Sequence, residues 1–254
     1  MERFQKEDLV GCCAQTDVKG DRMKRPSQQQ DPDMYVRVVE RKSDGIVVRG
    51  SKVHNSEASV ADEIVVLPTR ALLPEEKDWA VAFAVPGDWE GVKQVVTVHN
   101  LRDRQYFKRG FTPGSTDSYT IFDNAFIPWE RVFLCGETIH GGTCALLFAL
   151  FHRHSYSGCK PALGDLMLGT VALAAEYNGI GKASHVRDKL AEIIRVSALG
   201  YAAGFTASEL GKPEVYIPSV GFKPYGPGSY IPNSIYANVG RCLGAAPLED
   251  QFIV

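Results

Sequence analysis

No stretch of this chain is apolar for long enough to cross a bilayer. The longest apolar run, Cys144 to Phe151, holds eight residues, against the roughly 20 that a spanning helix needs. It therefore predicts a segment of core helix. "MERFQKEDLVGCC" likewise lacks the apolar stretch of a secretory leader, and a cytoplasmic location is expected. There is no basic block either: 28 Lys+Arg against 30 Asp+Glu leave a formal net charge of −2. That balance argues against a nucleic-acid surface and against acidic membrane lipids. Six cysteines, at 12, 13, 135, 144, 159 and 242, include no CxxC and no zinc-finger spacing. Free thiols are the expectation. The adjacent Cys12 and Cys13 point apart in most backbones and predict packing rather than chelation. Dinucleotide-binding glycine fingerprints, P-loops, internal repeats and low-complexity tracts are all absent.

What is present has the composition of a globular protein, 44% hydrophobic and 23% charged over 254 residues, enough for one large domain or two ordinary ones. From about residue 34 to 137 the text reads as strands. "MYVRVVER", "GIVVRGSKV", "DEIVVLPT", "WAVAFAVP" and "KQVVTVHN" are β-branched and aromatic runs, separated by turn signals such as "SDG", "PGDWEG" and "TPGSTDS". Such a series without intervening helical pattern predicts an antiparallel barrel or sandwich. Near residue 138 the texture changes. Residues 141–178 and "SHVRDKLAEIIRVSALGYAAGFTASEL" show helical spacing. Ser184 is the expected N-cap, and Val186, Leu190, Ile193, Ile194 and Leu199 the expected buried stripe. Residues 211–234 read as loop, and "SIYANVGRCLGAAPLEDQFIV" as the start of another helix. Two long helices cannot bury all their apolar faces on one another, so an oligomer or a larger parent is expected.

Three polar stretches read as more than scaffold. Gln15, Thr16, Asp17, Val18, Lys19, Gly20, Asp21 and Arg22 offer backbone donors and cations suited to a phosphate or a flavin edge; a solvated loop is the competing reading. Lys52, His54, Asn55 and Ser56 follow a strand, a common place for ligand contacts, and a hydrophilic hairpin competes there. "FHRHSYSGCKPALGDLMLG" gathers His152, Tyr156, Cys159 and Lys160. On one continuous helix His152 and Cys159 would stand two turns apart on one face, roughly 10 Å along the axis, too far to share one zinc ion. A four-iron cluster is a larger body and takes thiolate and histidine ligands. Gly158 and Pro161 can break the helix and draw Cys159 nearer. Tyr156 would lie one turn from His152, placed for proton transfer or substrate contact. Ordinary helix packing is the alternative for the whole stretch.

"TDVKGDR", "QQDPDMYVRVVERKSDGIVVRGSKVH", "FDNAFIPWERVFLCGE", "HRHSYSGCKPALGD" and "ALAAEYNGIGKASHVRDKL" together resemble the FAD-dependent 4-hydroxyphenylacetate 3-hydroxylase family, and within it the dehydratase branch. The resemblance runs collinearly from about residue 8 to 210. It implies an α+β, acyl-CoA dehydrogenase-like architecture: a middle β-barrel domain over residues 1–137, then part of a helical-bundle domain over 138–254, in a homotetramer. It implies FAD beside Gln15–Arg22 and beside Ser56, where the family usually has threonine. It also implies a 4Fe–4S cluster with His152 and Cys159 as two of one histidine and three cysteine ligands. His152, Tyr156 and Lys160 become catalytic residues, and the branch's glutamate before the "FDN" block falls on the shorter Asp117. The other two cluster cysteines and the later helices of the family have no counterpart in the sequence, so a central piece of the parent enzyme is expected. The implied activity on an acyl-CoA is dehydration of 4-hydroxybutyryl-CoA to crotonyl-CoA, with isomerisation of vinylacetyl-CoA. The alternatives are an FAD-dependent aromatic monooxygenase of the same family and a catalytically inactive fragment.

Overall fold

The computed structural model describes residues 2–96, 117–213 and 230–249. The chain divides into two compact units, Met1–Ala145 and Leu146–Val254.

After a short helix α1 (Glu2–Lys6), the first unit is built from eight strands: β1 (Gly11–Ala14), β2 (Arg37–Arg41), β3 (Gly45–Ser56), β4 (Glu63–Val66), β5 (Val81–Val85), β6 (Val92–Val96), β7 (Asp117–Pro128) and β8 (Val132–Cys135). They form two four-stranded sheets, β1-β4-β5-β8 and β2-β3-β7-β6. The inward residues of both sheets meet in one core, with Val38, Ile46, Val48, Phe122 and Ile127 from one sheet and Ala14, Ile64, Val66, Phe83 and Val85 from the other. Phe83 and Phe122 touch edge to face across the two sheets, centroids 5.3 Å apart at 84°, a contact worth about 0.5–1.5 kcal/mol beyond burial. Among the described residues the strands form two separate sheets and no closed barrel, so the expected barrel is not confirmed. The expectation of purely antiparallel pairing is corrected, since β1 runs parallel to β4. β1 has only four residues, Gly-Cys-Cys-Ala, too short for a readable alternation. Cys12 lies buried and Cys13 half-buried, and burial pushes their thiols up to about 11 and about 12.

β3 is the spine of the second sheet, and its ladder with β7 slips at Val48/Gly50 and at Lys52/Asn55. Gly50 has φ +128°, and a Cβ there would lie 2.7 Å from the Tyr35 carbonyl oxygen, so only glycine fits. The second slip re-aims His54 and Ser56 at the strand end.

The second unit is helical: most of α2 (Thr138–Tyr177), then α3 (Ser184–Glu209) and α4 (Ser234–Glu249), with a small pairing of β9 (Lys212–Pro213) and β10 (Tyr230–Ile231). The helix of α2 runs unbroken through Gly158 and Pro161, so the expected break is absent. Proline removes one helical hydrogen bond, but its ring rests on α3, where a Cβ on Gly200 would meet Pro161 Cγ at 3.6 Å. The N-cap of α3 is Ala183, one residue before the expected Ser184. Its buried face is Ile193, Val196, Ser197, Gly200, Ala203, Gly204 and Ala207, whereas Ile194 and Leu199 of the expected stripe are exposed. Close helix contact selected small residues there. A Cβ on Gly204 would come within 2.3 Å of Ser157 Cβ, and one on Gly164 within 2.1 Å of Ser197 Oγ. Among the described residues no helix is long and apolar enough to cross a membrane.

Candidate active site

Within the β unit, the chain leaving β1 is tied down by one lysine. Lys52 and Asp17 are 2% and 3% exposed, and their ammonium and carboxylate meet at 2.8 Å. The remaining two ammonium donors go to the carbonyls of Gln15 at 2.9 Å and Leu67 at 2.8 Å. Asp17 also accepts the Val36 N–H at 3.1 Å, and Thr16 O accepts the Val53 N–H at 2.8 Å. Burial pushes the Lys52 ammonium below its ordinary value, while Asp17 pulls it back up. Asp17 and Lys52 are thus engaged with one another inside the protein.

Beyond Asp17 the segment turns outward. Val18 is half-buried, and Lys19 and Gly20 both take left-handed backbone, φ 74° and 54°. Asp21 closes its own turn by accepting the Met23 N–H and gives its backbone N–H to Gln29. Arg25 anchors the far end on Glu76, a carboxylate with 0% exposure that also takes the Ser27 hydroxyl and the Leu73 N–H. Burial alone would raise the Glu76 carboxyl, but those donors together hold it below the usual carboxylate range. What faces solvent is Gly20 and Arg22, with Thr16 and Lys19 half-exposed, and neither Lys19 nor Arg22 forms an ion pair among the described residues. These free cations and hydroxyl suit the anionic and carbonyl edges of a flavin nucleotide.

The end of β3 divides in the same way. Asn55 is buried and gives its amide to Thr120 at 2.9 Å. His54 and Ser56 are exposed. Ser56 stands opposite Asp117 in the β3–β7 ladder, and its hydroxyl donates to Asp117 Oδ1 at 2.5 Å. The fold has therefore joined one residue expected at the flavin with one expected in catalysis. A cavity of about 630 Å³ opens beside them, lined by Ser59, Asp62, Asp88 and Gln94 among others, within the size range of small-molecule sites. None of the residues singled out in the sequence lines it.

In the helical unit the candidates share one face of α2. Phe148 stacks on His152 with centroids 5.1 Å apart at 16°. His152 meets the Tyr156 ring edge to face at 4.6 Å, and the Lys160 ammonium lies 5.0 Å from the Tyr156 centroid. The four residues follow one another at every fourth position, so each ring contacts the next. Phe148 was not singled out in the sequence, although that spacing would have found it. His152 is exposed as a residue, yet partial burial lowers its imidazole below the ordinary value. Cys159 is exposed and unpaired with any other cysteine. Because the helix is continuous, it stands roughly 10 Å along the axis from His152. Among the described residues no three His, Cys, Asp or Glu side chains gather as a metal site. His152 and Cys159 therefore form no metal site by themselves. His154 faces the other way, bonded at 2.9 Å to Ser208 of α3.

Residues 1–134 match the model of the 4-hydroxyphenylacetate 3-hydroxylase N-terminal domain, and residues 142–248 that of the C-terminal domain. The chain is 41% identical over 219 residues to 4-hydroxybutyryl-CoA dehydratase/vinylacetyl-CoA-Δ-isomerase from Clostridium aminobutyricum, covering 84% of the chain and 45% of that protein. Among solved structures it is similar to the 4-hydroxybutyryl-CoA dehydratase of N. maritimus, with TM-score 0.79, 33% identity, and coverage of 94% of this chain and 46% of that one. It is also similar to the oxygenase component of 4-hydroxyphenylacetate 3-monooxygenase complexed with FAD, with TM-score 0.77, 26% identity, and coverage of 98% and 52%. Butyryl-CoA dehydrogenase from Megasphaera elsdenii, 14% identical with TM-score 0.59, shares the fold. The chain spans about half the length of these relatives.

Proposed function

Since the chain belongs to the 4-hydroxyphenylacetate 3-hydroxylase family, we propose that it serves the FAD-dependent dehydration of 4-hydroxybutyryl-CoA to crotonyl-CoA and the isomerisation of vinylacetyl-CoA. The observation that carries this reading is the face of α2 where His152, Tyr156 and Lys160 stand in contact with Cys159 beside them. A flavin monooxygenase needs no iron–sulfur cluster, so a histidine and a cysteine at this spacing count against that reading. In this reading residues 1–137 are the flavin-facing β domain and residues 138–254 part of a helical domain, assembled as a homotetramer.

FAD, when bound, supplies the one-electron acceptor that makes an unactivated β-hydrogen removable. The chain's own part is to bind and orient. Thr16, Lys19, Gly20 and Arg22 meet the cofactor, and the buried Asp17–Lys52 pair keeps their segment in place. His152 takes the proton from the α-carbon of the acyl chain. Phe148 and Tyr156, on either side of its ring, fix the direction of its nitrogens. Tyr156 and Lys160 hold the neighbouring oxygen through phenol and ammonium donors. His152 and Cys159 are also the two ligands that the chain would contribute to a 4Fe–4S cluster, the other two having no counterpart among the described residues.

The monooxygenase reading is favoured by the likeness to the FAD-bound oxygenase over 98% of the chain. Anaerobic incubation with 4-hydroxybutyryl-CoA and FAD separates the two. Once a fuller partner chain supplies the other two cluster ligands, crotonyl-CoA that disappears in His152→Gln and falls in Tyr156→Phe is the expected result. Hydroxylation of 4-hydroxyphenylacetate by reduced flavin and oxygen, without crotonyl-CoA, would overturn it. Neither product would leave the inactive chain as the reading.

A further inference from the structure

The cavity of about 630 Å³ in the β unit is walled by hydrogen-bond acceptors, and among the described residues no lysine or arginine lines it. Three separate elements build it. Asp62 ends the connection from β3 to β4, Asp88 lies in the connection from β5 to β6, and Gln94 stands on β6. The Asp62 carboxylate is held in place: one oxygen accepts the Val10 N–H at 2.8 Å, and the Asp62 N–H returns to Val10 O at 2.9 Å. Its other oxygen and the whole Asp88 carboxylate have no partner among the described residues. Gln94 is oriented by its amide nitrogen, which donates to Ala58 O at 3.1 Å. A Cβ on Gly87 would lie 2.7 Å from that nitrogen, so glycine leaves the room for it. The opposite end, Gln94 Oε1, is buried and accepts no hydrogen bond among the described residues. A buried acceptor left unpaired is costly and calls for a donor. Val60 and Val96, both exposed, add apolar lining.

Two carboxylates and an unpaired carbonyl oxygen repel an anion, which sets this cavity apart from any site for CoA or flavin phosphates. They also fall short of the six or more oxygen ligands that a calcium ion takes. Among the described residues no three His, Cys, Asp or Glu gather there as a metal site. The complementary group is a donor without lone pairs, and an ammonium carries three such donors. We propose that this cavity binds an aliphatic diamine, with its ammonium groups on Asp62, Asp88 and Gln94 Oε1 and its methylene chain against Val60 and Val96. The inference stands independently of the flavin and cluster reading above.

Isothermal titration calorimetry at constant ionic strength tests it, with 1,4-diaminobutane, butylamine and calcium chloride as probes. The diamine should bind one to one and about fivefold tighter than the monoamine, the worth of one exposed ion pair. Asp88→Asn should bring the diamine down to the affinity of butylamine. Gln94→Met, which removes the acceptor, should weaken both amines. Asp88 is exposed and has no partner among the described residues. Asp88→Asn should therefore unfold at the unmodified urea midpoint, which separates lost binding from lost folding. No saturable heat with the diamine, an unchanged diamine affinity in Asp88→Asn, or calcium bound as tightly as the diamine would each overturn the proposal.

Discussion

Replacing Lys52 by methionine removes the charge and keeps a side chain of similar length. The ammonium makes three contacts inside the β unit, to Asp17, Gln15 O and Leu67 O, all within 2.9 Å, from a side chain 2% exposed. Lys52→Met leaves the Asp17 carboxylate buried with the Val36 N–H as its remaining neutral donor, and leaves Leu67 O without its ammonium. Removing one partner of a buried ion pair costs about 3–5 kcal/mol, a large share of the 5–15 kcal/mol by which a typical domain is stable. All three tryptophans, Trp79, Trp89 and Trp129, lie in this unit, so fluorescence during urea unfolding reports on it alone. With a slope of about 2 kcal/mol per molar urea, the midpoint should drop by roughly 1.5–2.5 M. Adding Asp17→Leu removes the stranded charge and should restore part of that loss. A midpoint drop below about 0.5 M, or a double variant whose losses simply add, would refute the view that this pair holds the Gln15–Arg22 segment in place.

Two further outcomes are expected. The Glu76 carboxyl sits below its unfolded value, so its stabilisation is complete above the ordinary carboxylate pKa and is lost as pH falls through the folded one. Thermal midpoints should therefore decline towards acid less steeply in Glu76→Gln than in the unmodified chain, from a lower starting point. In the helical unit, a Cβ on Gly240 would lie 2.6 Å from Ser157 Oγ. Gly240→Ala should cost about 1–3 kcal/mol by overpacking in circular-dichroism melts, and Ser157→Ala in the same chain should recover part of it by removing the blocking oxygen.

Strands β2 to β6 and helices α2 and α3 were legible from the sequence, because β-branched runs and helical spacing are local properties of the side chains, whereas β1, β7 and β8 were not singled out. So was the face shared by His152, Tyr156 and Lys160, since positions four apart on a helix always adjoin. Sandwich or barrel was not legible: the choice depends on which edges pair, and the four-residue β1 adds a parallel edge that no alternation announces. The stripe assigned to α3 failed for a related reason. Hydrophobicity marked Ile194 and Leu199, while the neighbouring helices approach so closely that Gly200, Gly204 and Ala207 were needed at the contact. Likewise, Asp17 and Lys19 look alike as polar loop residues, yet one is buried on Lys52 and the other has no ion pair among the described residues. The Ser56–Asp117 bond joins positions that only the β3–β7 register brings together. The sequence by itself determined the elements, the family resemblance and the chemistry available on α2. Tertiary structure alone decided which polar groups hold the protein together and which remain for a ligand, because burial and long-range pairing are properties of the packed chain.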